Sequence, residues 1–114
     1  MQNFTDVKLE IFTPLEYVVP IRDALAKIGA GVIGNYDHCV ALHPIQGYYR
    51  PLDGATPFEG EIGAVNEGIE YKVEVNCKRE LVKDAIQSIK AIHPYEEPLI
   101  NIIPLANHLF DNEN

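Results

Sequence analysis

From Ile69 to Cys77 the chain alternates without a break, with Ile69, Tyr71, Val73, Val75 and Cys77 set against Glu70, Lys72, Glu74 and Asn76. A period of two sends successive side chains to opposite faces, so this stretch predicts a strand with one face on a core and the other in water. A two-sided strand of this kind suits an antiparallel sheet that carries helices on one side only. The segments before and after it must supply those helices and the remaining strands.

After the strand, Leu81, Val82, Ala85, Ile86, Ile89 and Ile92 form an apolar stripe opposite Lys83, Asp84, Gln87 and Lys90, which predicts a helix over roughly Glu80 to Ile92. Pro94 forbids its continuation. Leu99 to Ile103 reads as a last strand, too apolar for an edge open to water, and so expected inside the sheet or covered by another subunit. At the other end, Val7, Leu9 and Ile11 alternate with Lys8 and Glu10 and predict a first strand reaching about Phe12. Thr13-Pro14-Leu15-Glu16 then reads as a capping box, with Thr13 as cap and Pro14 at the first helical position. Leu15, Val18, Ile21, Leu25 and Ile28 supply the stripe of a first helix that Gly29 and Gly31 end. Pro20 inside that helix would cost about 3 kcal/mol, which predicts a kink or a late helix start.

The middle third, Gly31 to Gly68, is rich in glycine and proline, with short apolar runs at Val40-Ala41-Leu42 and Gly47-Tyr48-Tyr49. It reads as short strands joined by irregular loops. The order strand, helix, strands, strand, helix, strand predicts an α+β fold of the ferredoxin-like, split βαβ type: an antiparallel sheet with two helices on one face and an irregular β-rich middle segment. The 114 residues suit one domain over 1–114, with a core from about 7 to 105 and a polar tail, 106–114, expected to fray. One face of such a sheet stays bare, and self-association would cover it.

Apolar residues make up 46% of the chain, as in ordered globular proteins, and the formal net charge is −8. That acidity argues against nucleic acid and against anionic membrane surfaces, both of which need clustered Lys and Arg. No apolar run is long enough to cross a bilayer, and the first residues lack the basic and apolar parts of a signal peptide, so the expected location is the cytoplasm. Cys39 and Cys77 read as free buried thiols in a reducing compartment.

The densest polar chemistry is His93-Pro94-Tyr95-Glu96-Glu97-Pro98, where two prolines stiffen a non-helical connection. His93 with Glu96 or Glu97 suits a divalent cation such as zinc or copper. The structural alternative makes His93 a cap at the end of the second helix, protonated against its dipole, while Tyr95 and the glutamates tie the corner to a neighbouring subunit. His38, Cys39 and His43 form a second group. Adjacent strand residues face opposite sides, so Cys39 reads as core while His38 reaches a cleft, and an approach of His38 to His93 would make a site between subunits. Gly31 to Tyr36 is not followed by a helix start with Lys-Ser/Thr and so is no P-loop. Tyr36, Tyr48, Tyr49 and Phe58 fit either a ligand pocket or an interface. No serine sits in a nucleophile elbow, and Cys39 has no evident base, so no catalytic residue is identified.

Cys77 to Leu105 resembles the C-terminal half of CutA proteins, whose corner keeps only one of the two glutamates. Over Lys8 to Leu105 the chain resembles more closely the small domain inserted in the YqfO-type dinuclear-metal-centre proteins (Ngg1-interacting-factor-like). That resemblance is carried by Gly29-Ala30-Gly31-Val32-Ile33-Gly34-Asn35-Tyr36 with His38 and Cys39, by Arg50-Pro51-Leu52-Asp53-Gly54-Ala55-Thr56-Pro57-Phe58, and by Gly60-Glu61-Ile62-Gly63. It implies a free-standing PII/CutA-like homotrimer of ferredoxin-like subunits, non-enzymatic, binding a small ligand or metal ion at clefts between subunits, with a regulatory role. The ligand or interface positions would be Tyr36, His38, Tyr95, Glu97 and Phe58, and the metal positions His93, Glu96 and His38. A CutA-like metal-tolerance protein is the alternative, and a weak metal-dependent hydrolase ranks last, because the two-metal centre of the full-length family lies in the domains that flank the insert.

Overall fold

The computed structural model describes residues 3–111. The alternating stretch lies within one long strand, β3 (Asn66–Lys78), and the full order is β1 (Asp6–Thr13), α1 (Val18–Lys27), β2 (Ala41–Tyr49), β3, α2 (Val82–Ile92) and β4 (Ile100–Pro104). The sheet runs β2-β3-β1-β4 with every neighbouring pair antiparallel. This is the split βαβ arrangement expected from the order of elements, and the fold class is α+β and ferredoxin-like.

Period-two burial explains the layers. Val7, Leu9 and Ile11 of β1 are fully buried, opposite Cys77, Val75 and Val73 of β3 in register, and the intervening residues stay half-buried. The helices meet that face with Ile21 and Leu25 of α1 and Ala85 and Ile89 of α2, which join the same core cluster. Each Val, Leu or Ile side chain so removed from water contributes roughly 1.5–3 kcal/mol. Among the described residues no helix or second sheet covers the other face, which carries an acid-base lattice: Lys8 to Glu74 at 3.3 Å, Lys72 to Glu10 at 3.6 Å and to Glu74 at 3.4 Å.

Several local expectations are corrected. Thr13 is no helix cap: it is the last residue of β1, fully buried, with its hydroxyl donating to the Pro14 carbonyl at 3.2 Å. The chain enters α1 through a 3-10 turn at Leu15–Tyr17, where Pro14 is extended, and Leu15 stays 55% exposed instead of joining the stripe. Pro20 accounts for this late start. It occupies the first turn of α1, where its missing N–H has no intrahelical acceptor to serve, and an α-helix begun earlier would drive its ring into the Glu16 carbonyl. Ala41-Leu42 and Gly47-Tyr48-Tyr49 of the two apolar runs of the middle third fall in one nine-residue strand, β2, and not in separate short strands. Pro44 lies inside it and is tolerated because β2 is an edge strand whose outer side needs no ladder bond.

The last strand is also an edge within this chain, not an interior strand, and Ile102 is 43% exposed there. Beyond it a 3-10 turn covers Asn107–Leu109, in the stretch expected to fray, while 112–114 fall outside the described residues. Both cysteines are free; Cys77 is buried, whereas Cys39 is only half-buried and is not a core residue. Gly31 ties the loop after α1 to the sheet. Its N–H donates to the Asn76 carbonyl at 2.9 Å, its φ is +77°, and a Cβ there would stand 3.0 Å from the Cys39 carbonyl, so only glycine fits without strain.

Leu25, fully buried between the sheet and α2, tests this core. Leu25→Ala is expected to lower stability by about 2–5 kcal/mol, read as a drop in urea midpoint at unchanged slope.

Candidate functional site

Helix α2 ends at Ile92, and His93 follows in an extended conformation with its N–H still donating to the Ile89 carbonyl at 2.9 Å. Pro94 then turns the chain away. His93 is 9% exposed, and both of its ring nitrogens are engaged: Nε2 lies 2.7 Å from the Phe12 carbonyl oxygen, and Nδ1 accepts the Tyr95 N–H at 3.1 Å. A carbonyl only accepts, so the proton sits on Nε2 and the ring is neutral. Burial pushes the imidazole pKa below its ordinary value, against the smaller upward pull of the Phe12 carbonyl. The protonated dipole cap is therefore corrected to a neutral staple that joins the end of α2 to the end of β1.

Tyr95 stacks obliquely on this staple, with ring centroids 4.8 Å apart. Phe58 lies 6.1 Å from Tyr95 and meets Tyr17 edge-on at 6.4 Å, spacings typical of attractive aromatic pairs. The Tyr95 hydroxyl donates to Glu70 at 3.4 Å, and burial followed by the Glu70 charge pushes its phenol pKa far above the usual value, so it stays a proton donor. Glu96 accepts the Thr56 N–H at 2.8 Å, and Tyr49 donates to the Glu59 carbonyl at 2.8 Å. One corner thus collects His93, Tyr95, Glu96 and Phe58, with Glu97 exposed beside them.

Tyr17 and Glu70 were not singled out in the sequence. Tyr17 falls in the turn before α1, and Glu70 reads as one more charge on a solvated strand face. The available signal was Gly47: a Cβ there would stand 2.8 Å from the Glu70 carboxylate, so this strand glycine leaves room for it.

The other candidates lie elsewhere. Tyr36 is 74% exposed in an isolated bridge with Ile33, and His38, with a left-handed φ of +57°, sits between Asp37 at 2.8 Å and Asp23 at 3.8 Å. Their loop hangs on Asn76, which pairs with Lys8, whereas His93 holds Phe12. The stretch of β1 from Lys8 to Phe12 separates them by about 13 Å. His38 and His93 do not meet within one chain, and His43 stands apart in β2 opposite Lys72. Among the described residues no group of three His, Cys, Asp or Glu side chains is placed to hold a metal ion. A cavity of about 280 Å³ opens under the Gly31–Cys39 loop, lined by Ile33, Cys39 and the Lys8–Glu74 pair.

The staple makes stability depend on pH with a definite sign. The fold lowers the His93 pKa, so below the unfolded value near 6.5 the unfolded chain takes up a proton that the folded one resists, and stability falls as pH drops until the folded value is reached. Urea unfolding at pH 7.5 and 5 is expected to show a larger loss for the wild type than for His93→Gln, which cannot titrate; equal losses would contradict the staple.

No protein-family model matches the chain. It is 39% identical over 98 residues to a GTP cyclohydrolase 1 type 2 homolog of Bacillus subtilis, covering 86% of this chain and 26% of that protein. The chain spans about a quarter of the length of the curated relatives it matches. Among solved structures, a Bacillus cereus protein related to NIF3 superposes with a TM-score of 0.79 at 29% identity, over 94% of this chain and 27% of that one. The periplasmic divalent cation tolerance protein CutA of Archaeoglobus fulgidus superposes with a TM-score of 0.67 at 22% identity, over 89% of this chain and 84% of that one, a likeness of fold alone. The chain is thus a homologue of one domain-sized segment of the GTP cyclohydrolase 1 type 2 homologs, the NIF3/YqfO family, and it has the fold of CutA.

Proposed function

We propose that this chain is a non-enzymatic, PII/CutA-like subunit that works as a cytoplasmic homotrimer and binds a small ligand or metal ion in clefts between subunits, in a regulatory role. The observation that carries this reading is the open ribbon of β2 and β3. The chain extends over 55 Å with a radius of gyration of 15.9 Å, against about 13 Å for a compact chain of this length. Along the ribbon Leu42, Tyr48 and Ile69 are exposed, the last by 73%. Apolar surface of this kind on a lone chain is what self-association removes from water.

The placement of the candidate residues supports a shared cleft. Tyr95, Phe58 and Glu97 lie at one end of the sheet and Tyr36 and His38 at the other, so a second copy is the simplest source of the missing set. The same holds for a metal ion held by His93, Glu96 and His38, which would also have to displace a hydrogen bond at His93. A non-enzymatic role agrees with neighbours named for cation tolerance and with relatives named as homologues of an enzyme. The activity of the full-length relatives is not carried over.

Light scattering is expected to give three times the 12.8 kDa chain mass, and a monomeric mass would sink the shared cleft. Calorimetry with ATP, zinc and copper is expected to show saturable binding of at least one of them, weakened about tenfold or more in Tyr95→Ala. Binding untouched by that change would move the site away from the corner.

A further inference from the structure

The connection between β2 and β3, residues 50–65, is bonded far more to itself than to the rest of the domain. Gly63 donates its N–H to the Pro51 carbonyl at 2.8 Å, and Ala55 donates to Leu52 at 3.0 Å. Asn66 closes the base, its Nδ2 donating to the Ala64 carbonyl at 2.9 Å and its Oδ1 accepting the Glu61 N–H at 3.3 Å. Tyr49 clips the far side through the Glu59 carbonyl.

Two attachments join this body to the HPYEEP corner. One is the Thr56 N–H on Glu96, between two exposed residues; the other is Phe58, 45% exposed, against Tyr95 and Tyr17. A single exposed hydrogen bond and a half-wet ring hold far less than a buried core does, so separation here costs much less than unfolding.

We propose that residues 50–65 form a self-contained strap that closes and opens over Tyr95 as one unit, with Glu96 as its latch and Phe58 as its wedge. The internal bonds keep the strap's shape in both positions, because none of them involves the corner. Closed, it shields one face of Tyr95, whose N–H holds His93 and whose hydroxyl reaches Glu70. Open, it uncovers an apolar ring and a carboxylate side by side. The strap does not depend on the trimer or on any ligand, since its motion belongs to the free chain.

Hydrogen exchange followed residue by residue by NMR on the full chain tests this. The Thr56 amide, bonded to the corner, is expected to exchange faster than those of β1, while the Ala55 and Gly63 amides, bonded within the strap, stay slower than it. Glu96→Ala should speed the Thr56 amide about tenfold, and Phe58→Ala comparably, with Ala55 and Gly63 little changed. Glu96→Gln, whose side-chain oxygen can still accept from Thr56, should keep the wild-type rates. Unchanged rates in both Glu96→Ala and Phe58→Ala would overturn the latch. An acceleration that spreads equally into Val7 to Ile11 would overturn the strap as a separate unit.

Discussion

The inward face of β1 is the constraint on which the other elements depend. Val7, Leu9, Ile11 and Thr13 are all fully buried, and the strand that carries them is hydrogen-bonded on both sides, to β3 and to β4. Both helices cover that face with aliphatic side chains. A slip of one residue in its pairing would turn Lys8 and Glu10 into the core and leave Leu9 and Ile11 in water, so register is strongly fixed. The end of the same strand supplies the Phe12 carbonyl that receives His93, and the core strand thereby also sets where the corner stands.

What could be read in the sequence follows what its physics leaves unambiguous. Alternation in β3 and the apolar stripe of α2 are long, regular signals, and they gave the right elements in the right order. Glycine and proline in the middle third argued for broken structure, yet a proline breaks a strand only where both sides must hydrogen-bond, and β2 has one side free. The first helix shows the same limit. Thr13-Pro14-Leu15-Glu16 carries the composition of a capping box, but the ladder with β3 claims Thr13 for the sheet, opposite Tyr71. An apolar last strand was expected to be sheltered, which holds for Ile100, packed against the core, but not for Ile102 and Ile103.

The corner was legible as a concentration of chemistry, and less so as an arrangement. Its prolines announced a stiff turn, and the structure adds that the imidazole is saturated by backbone groups on both nitrogens. Phe58 comes from a loop whose nearest corner partner, Tyr95, is distant in sequence, and no local pattern could have joined them. Glu70 shows the converse case: a carboxylate that looks like ordinary strand solvation and instead lies against a bare glycine backbone and a phenol.

Pro44 has a consequence for how such chains meet one another. Near the middle of β2 it offers no N–H, so a strand laid along this outer edge would find its ladder interrupted after a few residues on either side. Open-ended edge-to-edge stacking, the route to fibres, is thereby discouraged on the longer free edge, while contacts through side chains and sheet faces are left untouched. The residue that looked like a flaw in the strand protects a sticky ribbon from growing without limit.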